Sequence, residues 1–253
     1  MGLNSRTPDI RIEAVRHESS KLELCMSISD NLKRVNERIV TAARRAGRDP
    51  SEVTVVAVTK TFGPEVVESV VGAGVMDVGE NRIQEFLEKA GKVRMECRWH
   101  LVGHLQTNKV NKALGRFELI HSVDSLKLAS RLSRAGAEAG MVSDVLLQVN
   151  TSGEDSKFGL GPGEVLETCG AIAEMDGIKV RGLMTIAPWV DDVKEVAGAF
   201  ARLRRLREEI ESADIKGIFM EHLSMGMTDD FEVAIAEGST MVRLGRVILG
   251  ERG

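Results

Sequence analysis

The sequence contains no tyrosine, and its other aromatic residues and cysteines are few. Its 253 residues include two tryptophans, seven phenylalanines and three cysteines. Cys25, Cys97 and Cys169 are odd in number and widely spaced, which argues against a disulfide framework and against a cysteine-based zinc site. We therefore predict a domain held together by its hydrophobic core, with no metal and with no chemical role for the cysteines.

Two further absences exclude whole classes of protein. No apolar run approaches the roughly 18 residues of a membrane-spanning helix, and residues 1–24 lack the apolar stretch of a secretory signal. The charge is nearly balanced, with 34 Lys and Arg against 38 Asp and Glu and a net charge of −4, whereas nucleic-acid-binding proteins carry a basic patch. We expect a cytoplasmic protein that binds neither a membrane nor a nucleic acid.

Short β-branched runs alternate with amphipathic helical segments along most of the chain. A first helix is predicted over 31–46, where apolar residues recur at three- and four-residue steps and Gly47 ends the pattern. Strands are predicted at 53–59, 76–78, 98–103, 119–123, 144–150, 180–186, 221–224 and 241–247. Helices are predicted between and after them at 64–71, 81–90, 108–114, 125–139, 162–174, 192–212 and 229–236.

Eight strands alternating with helices predict an α/β fold, namely a single (β/α)8 TIM-type barrel with an extra N-terminal helix. The same alternation is compatible with an open, doubly wound parallel sheet. We expect one barrel domain over 26–253. Residues 1–25 show no clear period, and we expect them to form a disordered leader.

In such a barrel the functional groups lie at the carboxyl ends of the strands, and Lys60 follows the first strand directly. A lysine amine at the mouth of the barrel can condense with an aldehyde to form a Schiff base. A surface lysine whose stem packs on apolar groups while its amine reaches solvent fits the same sequence.

The ends of strands seven and eight are suited to bind a phosphate. Ser224, Met225 and Gly226 combine a hydroxyl with a glycine that permits close backbone approach, and a helix begins shortly afterwards, where N–H groups attract an anion. Gly245 and Arg246, at the end of the last strand, offer further backbone donors and a positive charge.

Arg243 lies within the apolar eighth strand, where an arginine is costly unless it is paired. If its side chain points into the barrel, it can donate to a ring nitrogen. That nitrogen would then remain unprotonated, because the guanidinium keeps its own proton. Pairing with a helix carboxylate on the outside of the barrel is the alternative.

Several motifs, in order and spacing, resemble the YggS/PROSC-type pyridoxal phosphate homeostasis proteins, and the resemblance covers residues 26–250. They are VAVTK at 56–60, GENRIQE at 79–85, WHLVG at 99–103, LQTNK at 105–109, QVNT at 148–151, SKFG at 156–159, GLMT at 182–185, LSMGMTDD at 223–230 and GSTMVRLG at 238–245. Two positions depart from the family pattern: His104 stands where many members carry a proline or another residue, and Arg246 where many carry threonine.

This resemblance implies a fold similar to the N-terminal barrel of alanine racemase, with pyridoxal 5′-phosphate (PLP) bound as a Schiff base on Lys60. It also implies that the Arg243 side chain contacts the pyridine nitrogen of the cofactor. The resemblance also implies a phosphate site at Ser224, Met225, Gly226, Gly245 and Arg246, and a ring site at Asn81, His100 and Met184.

The same comparison favours a carrier of the cofactor over an enzyme. An arginine on the pyridine nitrogen weakens the ring as an electron sink. Two-base racemisation also needs a second proton-transfer group, which in alanine racemase is a tyrosine of a C-terminal domain. This sequence has no tyrosine, and it ends shortly after the eighth strand. His100 or Lys157 would have to replace that tyrosine.

We therefore expect a PLP-binding protein of intracellular vitamin B6 homeostasis that affects amino-acid and keto-acid balance with little or no catalysis. Lys60 is the catalytic residue if there is any activity. The cofactor is the expected small-molecule partner, PLP-dependent apoenzymes are candidate recipients, and the chain is expected to be a monomer or weak dimer. A low-activity PLP-dependent amino-acid racemase is the main alternative, and a Schiff-base aldolase acting on a phosphosugar is the third.

Overall fold

Eight parallel strands follow one another in chain order and close into a barrel in which β8 pairs with β1. The structure is a computed structural model that describes residues 10–154 and 158–250. The strands are β1 (Thr54–Val58), β2 (Asp77–Glu80), β3 (Arg98–Leu101), β4 (Leu119–Val123), β5 (Ser143–Gln148), β6 (Ile178–Met184), β7 (Ile218–Ser224) and β8 (Met241–Leu244). The predicted (β/α)8 barrel is confirmed, and the open doubly wound sheet is excluded because it would leave β1 and β8 apart.

Helices lie between the strands and around the barrel. They are α1 (Ile10–Arg45), α2 (Pro64–Gly72), α3 (Ile83–Lys89), α4 (Val110–Ala113), α5 (Leu126–Ala139), α6 (Val165–Ala173), α7 (Val193–Ser212), α8 (Phe231–Ala236) and α9 (Arg246–Leu249). Within the described ranges, no helix has the length and apolar composition needed to cross a bilayer.

The extra N-terminal helix is longer than the sequence pattern indicates. It begins at Ile10, so residues 10–25, which we predicted as part of a disordered leader, are helical; residues 1–9 lie outside the described part of the chain. Residues 9–46 contain neither glycine nor proline, the two residues that most disfavour a helix. The polar composition of residues 10–25 hides the helical period in that part without preventing the helix.

The C-terminal half of α1 packs against the outside of the barrel. Its buried residues Ile28, Leu32, Val35, Ile39 and Ala43 form one apolar cluster with residues of α2, α8, α9, β1 and β8. This spacing of three and four residues is the apolar stripe that predicted the helix. The helix therefore covers the side of the barrel on which β8 and β1 meet.

The last strand is shorter than predicted, because the chain turns at Gly245 and enters α9 instead of continuing to residue 247. Gly245 has φ −118° and ψ −87°, and it precedes the first residue of that helix. The turn places Gly245 and Arg246 immediately after the carboxyl end of β8.

Candidate cofactor-binding site

Lys60 lies in a tight turn at the carboxyl end of β1. Its side chain is partly exposed, and it forms no hydrogen bond or ion pair with a residue in the described ranges. The following residue, Thr61, has φ 68°, which is uncommon for a residue other than glycine. Its N–H donates to Glu85 Oε2 at 2.9 Å, and Phe62 N–H donates to the Thr59 carbonyl at 3.1 Å. The backbone of the turn is therefore fixed while the lysine side chain remains available.

A buried ion pair on the outer side of the barrel wall holds the residue before Lys60. The Lys89 ammonium contacts the Glu80 carboxylate and donates to the Thr59 carbonyl at 2.8 Å, and the Thr59 hydroxyl donates to Glu80 Oε1 at 2.7 Å. Burial raises the pKa of Glu80, although the bonds from Lys89 and Thr59 oppose this effect. Thr59 N–H also donates to Gly79 O at 3.0 Å, so all three polar groups of Thr59 are bonded.

Arg243 points into the barrel, which excludes the outward-facing alternative. It is only 5% exposed; Nη1 donates to Ser224 Oγ at 2.7 Å and Nη2 donates to the Thr185 carbonyl at 2.8 Å. No carboxylate oxygen of the described residues lies within ion-pair distance of it. Burial lowers the pKa of Arg243 from 12.5 to about 10, and the more distant charge of Asp230 opposes this shift. Arg243 is thus a buried cation whose two donor contacts go to neutral oxygens.

Two of the predicted ligands, Ser224 and His100, have polar atoms that bond to other side chains inside the barrel. The Ser224 hydroxyl, which we predicted to face the phosphate, accepts from Arg243 and is 2.8 Å from His121 Nδ1. His100, predicted beside the ring, is 1% exposed; its Nδ1 is 3.0 Å from His121 Nε2 and its Nε2 is 2.9 Å from Asp77 Oδ1. We therefore assign both side chains to a polar chain within the barrel. His100 is the third residue of β3 and faces inward, below the strand end at which the sequence motif placed it.

His121 is a fully buried residue of β4 that the sequence pattern does not single out. Burial lowers its pKa well below 6.5, and the nearby His100 and Arg243 lower it further. It is therefore neutral at physiological pH. The only sequence signal was one histidine inside the apolar run at 119–123, a pattern that does not reveal its partners.

Asp77, which contacts His100, is the first residue of β2 and lies near the amino end of the barrel. Burial favours its neutral form, but hydrogen bonds from His100 and Arg98 outweigh that effect and lower the pKa of Asp77 from 3.8 to about 2. Its carboxylate is 2.8 and 2.6 Å from two guanidinium nitrogens of Arg98. Asp77 therefore stabilises the folded protein as a carboxylate.

Asp77→Asn is expected to lower the free energy of unfolding by about 2 kcal/mol at pH 7. Because the folded-state pKa is below the unfolded one, this stabilisation is complete above about pH 4 and is lost as the pH falls towards about 2. Urea unfolding of both proteins from pH 2 to pH 7 measures the difference. A stability difference that does not shrink at acid pH would contradict the assignment.

The loop after β7 comes close to α8 at Gly226. This residue has φ 94°, and an added Cβ would lie 2.6 Å from Ala234 Cβ and 2.9 Å from Phe231 Cα. Its carbonyl accepts from Arg243 N–H at 3.0 Å. Only glycine fits here, and the neighbouring Met225 is fully buried.

Gly226→Ala is expected to destabilise the fold by about 2 to 4 kcal/mol, because it combines an unfavourable φ with overpacking. Urea unfolding measures this loss. Gly170→Ala is the matched control, since Gly170 lies inside α6 and its added Cβ would meet nothing within 4 Å. Equal stability of wild type and Gly226→Ala would show that the loop adjusts easily.

The two positions that depart from the family pattern are both held by carboxylates. Arg246 Nη2 is 2.6 Å from Asp229 Oδ2, so it connects the loops that follow β7 and β8. His104 Nδ1 is 2.9 Å from Asp124 Oδ2, and its ring stacks on Phe158. A phosphate that contacts Arg246 would have to share its guanidinium with the Asp229 carboxylate.

Of the two other residues predicted beside the ring, Asn81 lies at the rim of the barrel and Met184 lies in its interior. Asn81 follows β2 at the rim, where its backbone lies against Gly103. Met184 is fully buried and belongs to an apolar cluster with Leu119, Leu146 and Met241. Lys157, the other candidate base, lies outside the described residues.

A cavity of about 400 Å³ lies beside the loops after β6 and β7, with Ala187, Met227 and Asp230 among its lining residues. Trp189 also lines it and is 88% exposed. The exposed ring follows Pro188 in the loop between β6 and α7.

The closed parallel barrel of this protein, with Lys60 after β1 and Arg243 buried in β8, has the fold of the N-terminal domain of alanine racemases. The family model described as "Alanine racemase, N-terminal domain" matches residues 31–253, and the chain belongs to this family.

Within this family, the chain is similar to pyridoxal phosphate homeostasis proteins. The pyridoxal phosphate homeostasis protein of Aquifex aeolicus (strain VF5) is 41% identical over 228 residues, which cover 90% of this chain and 99% of that protein. PipY of Synechococcus elongatus PCC7942, solved with PLP bound, is 32% identical with a TM-score of 0.77 over 88% of this chain and 100% of PipY. Alanine racemase of Clostridium difficile 630 shares the fold, with a TM-score of 0.70 at 16% identity over 88% of this chain and 57% of the racemase. The resemblance to pyridoxal phosphate homeostasis proteins is confirmed.

Proposed function

We propose that this protein binds pyridoxal 5′-phosphate as a Schiff base on Lys60 and serves in intracellular vitamin B6 homeostasis, with little or no catalysis. The observation that carries the proposal is Arg243, a buried cation that donates to Ser224 Oγ and to the Thr185 carbonyl. Such a cation is stabilised by a further acceptor, and an unprotonated pyridine nitrogen is one. The names of the relatives and the PLP-bound PipY structure support the same cofactor.

The residues at the carboxyl ends of the strands suit the separate parts of this cofactor. Lys60 offers an amine in a fixed turn, and Asn81 and Met184 border the proposed ring position. Backbone N–H groups of Gly226 and Gly245 and the side chain of Arg246 are proposed to hold the phosphate. Met225 lies beside them with its own N–H donated to the Met241 carbonyl at 3.1 Å, and Ser224 contributes through its position beside Arg243. When bound, the cofactor supplies an aldehyde that the lysine can hold covalently.

The buried groups support holding the cofactor over using it. Arg243 keeps its proton, so a ring nitrogen that accepts from it stays unprotonated and the ring withdraws electrons poorly. Both ring nitrogens of His100 are bonded inside the barrel, which leaves no lone pair for a substrate proton. With no tyrosine in the sequence, the described site offers no evident second base.

We extend the proposal to the setting in which the protein acts. Residues 26–253 form the cofactor-binding unit, a monomer or weak dimer in the cytoplasm, and PLP-dependent apoenzymes receive the cofactor. Cys97 and Cys169 are free thiols, as expected of a reducing compartment. By holding and releasing PLP, the protein would affect amino-acid and keto-acid balance.

A spectral titration with PLP, followed by racemisation assays on a panel of D- and L-amino acids, tests this proposal. We expect a visible absorption band from the lysine adduct and no turnover above that of free PLP. Turnover that is lost in Lys60→Ala would establish the racemase alternative. A protein that stays colourless with PLP but is trapped by borohydride with a phosphosugar would establish the aldolase alternative.

A further inference from the structure

Five side chains from five strands form a continuous hydrogen-bonded chain through the inside of the barrel. Arg243 in β8 bonds to Ser224 in β7, Ser224 to His121 in β4, His121 to His100 in β3, and His100 to Asp77 in β2. The four successive distances are 2.7, 2.8, 3.0 and 2.9 Å. The chain connects the buried arginine with the amino end of the barrel.

The two ends of this chain determine the direction of every bond in it. A guanidinium can only donate, so the Ser224 hydroxyl accepts from Arg243 and its own hydrogen goes to His121 Nδ1. A neutral imidazole has one donor and one acceptor nitrogen, so His121 Nε2–H donates to His100 Nδ1. His100 Nε2–H then donates to the Asp77 carboxylate, which can only accept.

The charges along the chain keep this direction. Asp77 stays ionised because Arg98 and His100 both donate to it, and burial keeps His121 neutral. The reverse arrangement would put the His121 proton on Nδ1 and leave the Ser224 hydroxyl accepting two bonds with no described partner for its own hydrogen. An unsatisfied buried donor is unfavourable, so the chain has one preferred arrangement.

We propose that His121 and His100 are positioning residues for Arg243: they keep the Ser224 hydroxyl turned as an acceptor, and this fixes the guanidinium that is proposed to donate to the ring nitrogen. The part of this inference that concerns the ring rests on the proposed function. The direction of the hydrogen bonds does not rest on the proposed function, because it is a property of the protein without cofactor.

Nitrogen NMR of the histidine side chains, in protein without PLP at pH 8, tests the direction of the chain. We expect both His121 and His100 to be neutral with the proton on Nε2. A proton on His121 Nδ1, or a doubly protonated His100 at this pH, would overturn the proposal whether or not the protein binds PLP.

Substitutions then test whether His121 acts through Arg243. His121→Leu removes the acceptor for the Ser224 hydroxyl, and we expect on the order of 10-fold weaker PLP binding with a shifted absorption band. In His121→Asn the amide oxygen can replace Nδ1, and we expect it to restore most of both properties. His222→Asn is the control. His222 lines, together with Asp77 and His100, a cavity of about 300 Å³ at the amino end of the barrel, but it is not a member of the hydrogen-bonded chain.

The decisive comparison uses Arg243→Gln as the background. If His121 acts only by holding Arg243, adding His121→Leu to Arg243→Gln produces no further change in affinity or spectrum. A further 10-fold loss in that background would show that His121 has only a general structural role and would overturn the proposal. If wild-type protein shows no PLP band, the proposed function fails, while the NMR result still decides the direction of the chain.

Discussion

Lys60→Ala is expected to abolish the visible absorption band that PLP gives with the wild-type protein and to weaken PLP binding on the order of 100-fold, which corresponds to about 2.7 kcal/mol. The covalent attachment is lost, and only the phosphate and ring contacts remain. Because Lys60 forms no bond with the described residues and is partly exposed, the fold should be unaffected. A spectral titration with PLP, together with the thermal midpoint of each protein, measures both effects.

Lys60→Arg is the matched control for this change. It keeps a positive charge at the same position, but a guanidinium stays protonated and does not form a Schiff base. We expect it to lack the band as Lys60→Ala does, while retaining more of the phosphate-dependent affinity. A band that persists in both variants would mean that another lysine reacts with the aldehyde.

Arg243→Gln is expected to weaken PLP binding about 10- to 100-fold, because it removes charged donors from a buried site. Arg243→Glu should have a different signature. A carboxyl group at this position can share a proton with the ring nitrogen, so the band should shift and its response to pH should change. Spectra recorded from pH 6 to pH 9 measure this response.

The two Arg243 variants also distinguish a ligand contact from a purely structural arginine. If Arg243 only stabilised the barrel, both variants would lower the thermal midpoint but leave the spectrum of bound PLP unchanged. Spectra identical to wild type in both variants would contradict the role assigned to the guanidinium.

Local features of the sequence were sufficient to predict the fold and to single out the two cations on which the proposed function depends. Eight β-branched runs alternating with helices have few solutions at this length, and the closed barrel is one of them. Lys60 and Arg243 were detectable because each is a cation beside or within an apolar strand, a position that requires a reason. The length of α1 was missed because its first half has helix-forming residues without an apolar stripe.

The hydrogen-bonded chain of side chains inside the barrel could not be predicted from the sequence. It depends on the register in which the strands pair. His100 and His121 meet only because β3 and β4 pair with His100 opposite Leu119, and a shift of one residue would turn one histidine outward. The same limit explains Ser224, whose hydroxyl could face the rim or the interior at equal local cost. The ion pair of Glu80 and Lys89 was missed for a related reason: α3 must dock on the barrel before the lysine reaches the carboxylate.

The central claim is that one particular amine, held in the turn after β1, captures the aldehyde of PLP. Borohydride reduction of the protein with PLP, followed by peptide mass mapping, tests it most directly. We expect a single phosphopyridoxyl adduct, located on Lys60. An adduct on any other lysine, or unmodified protein after reduction, would contradict the account.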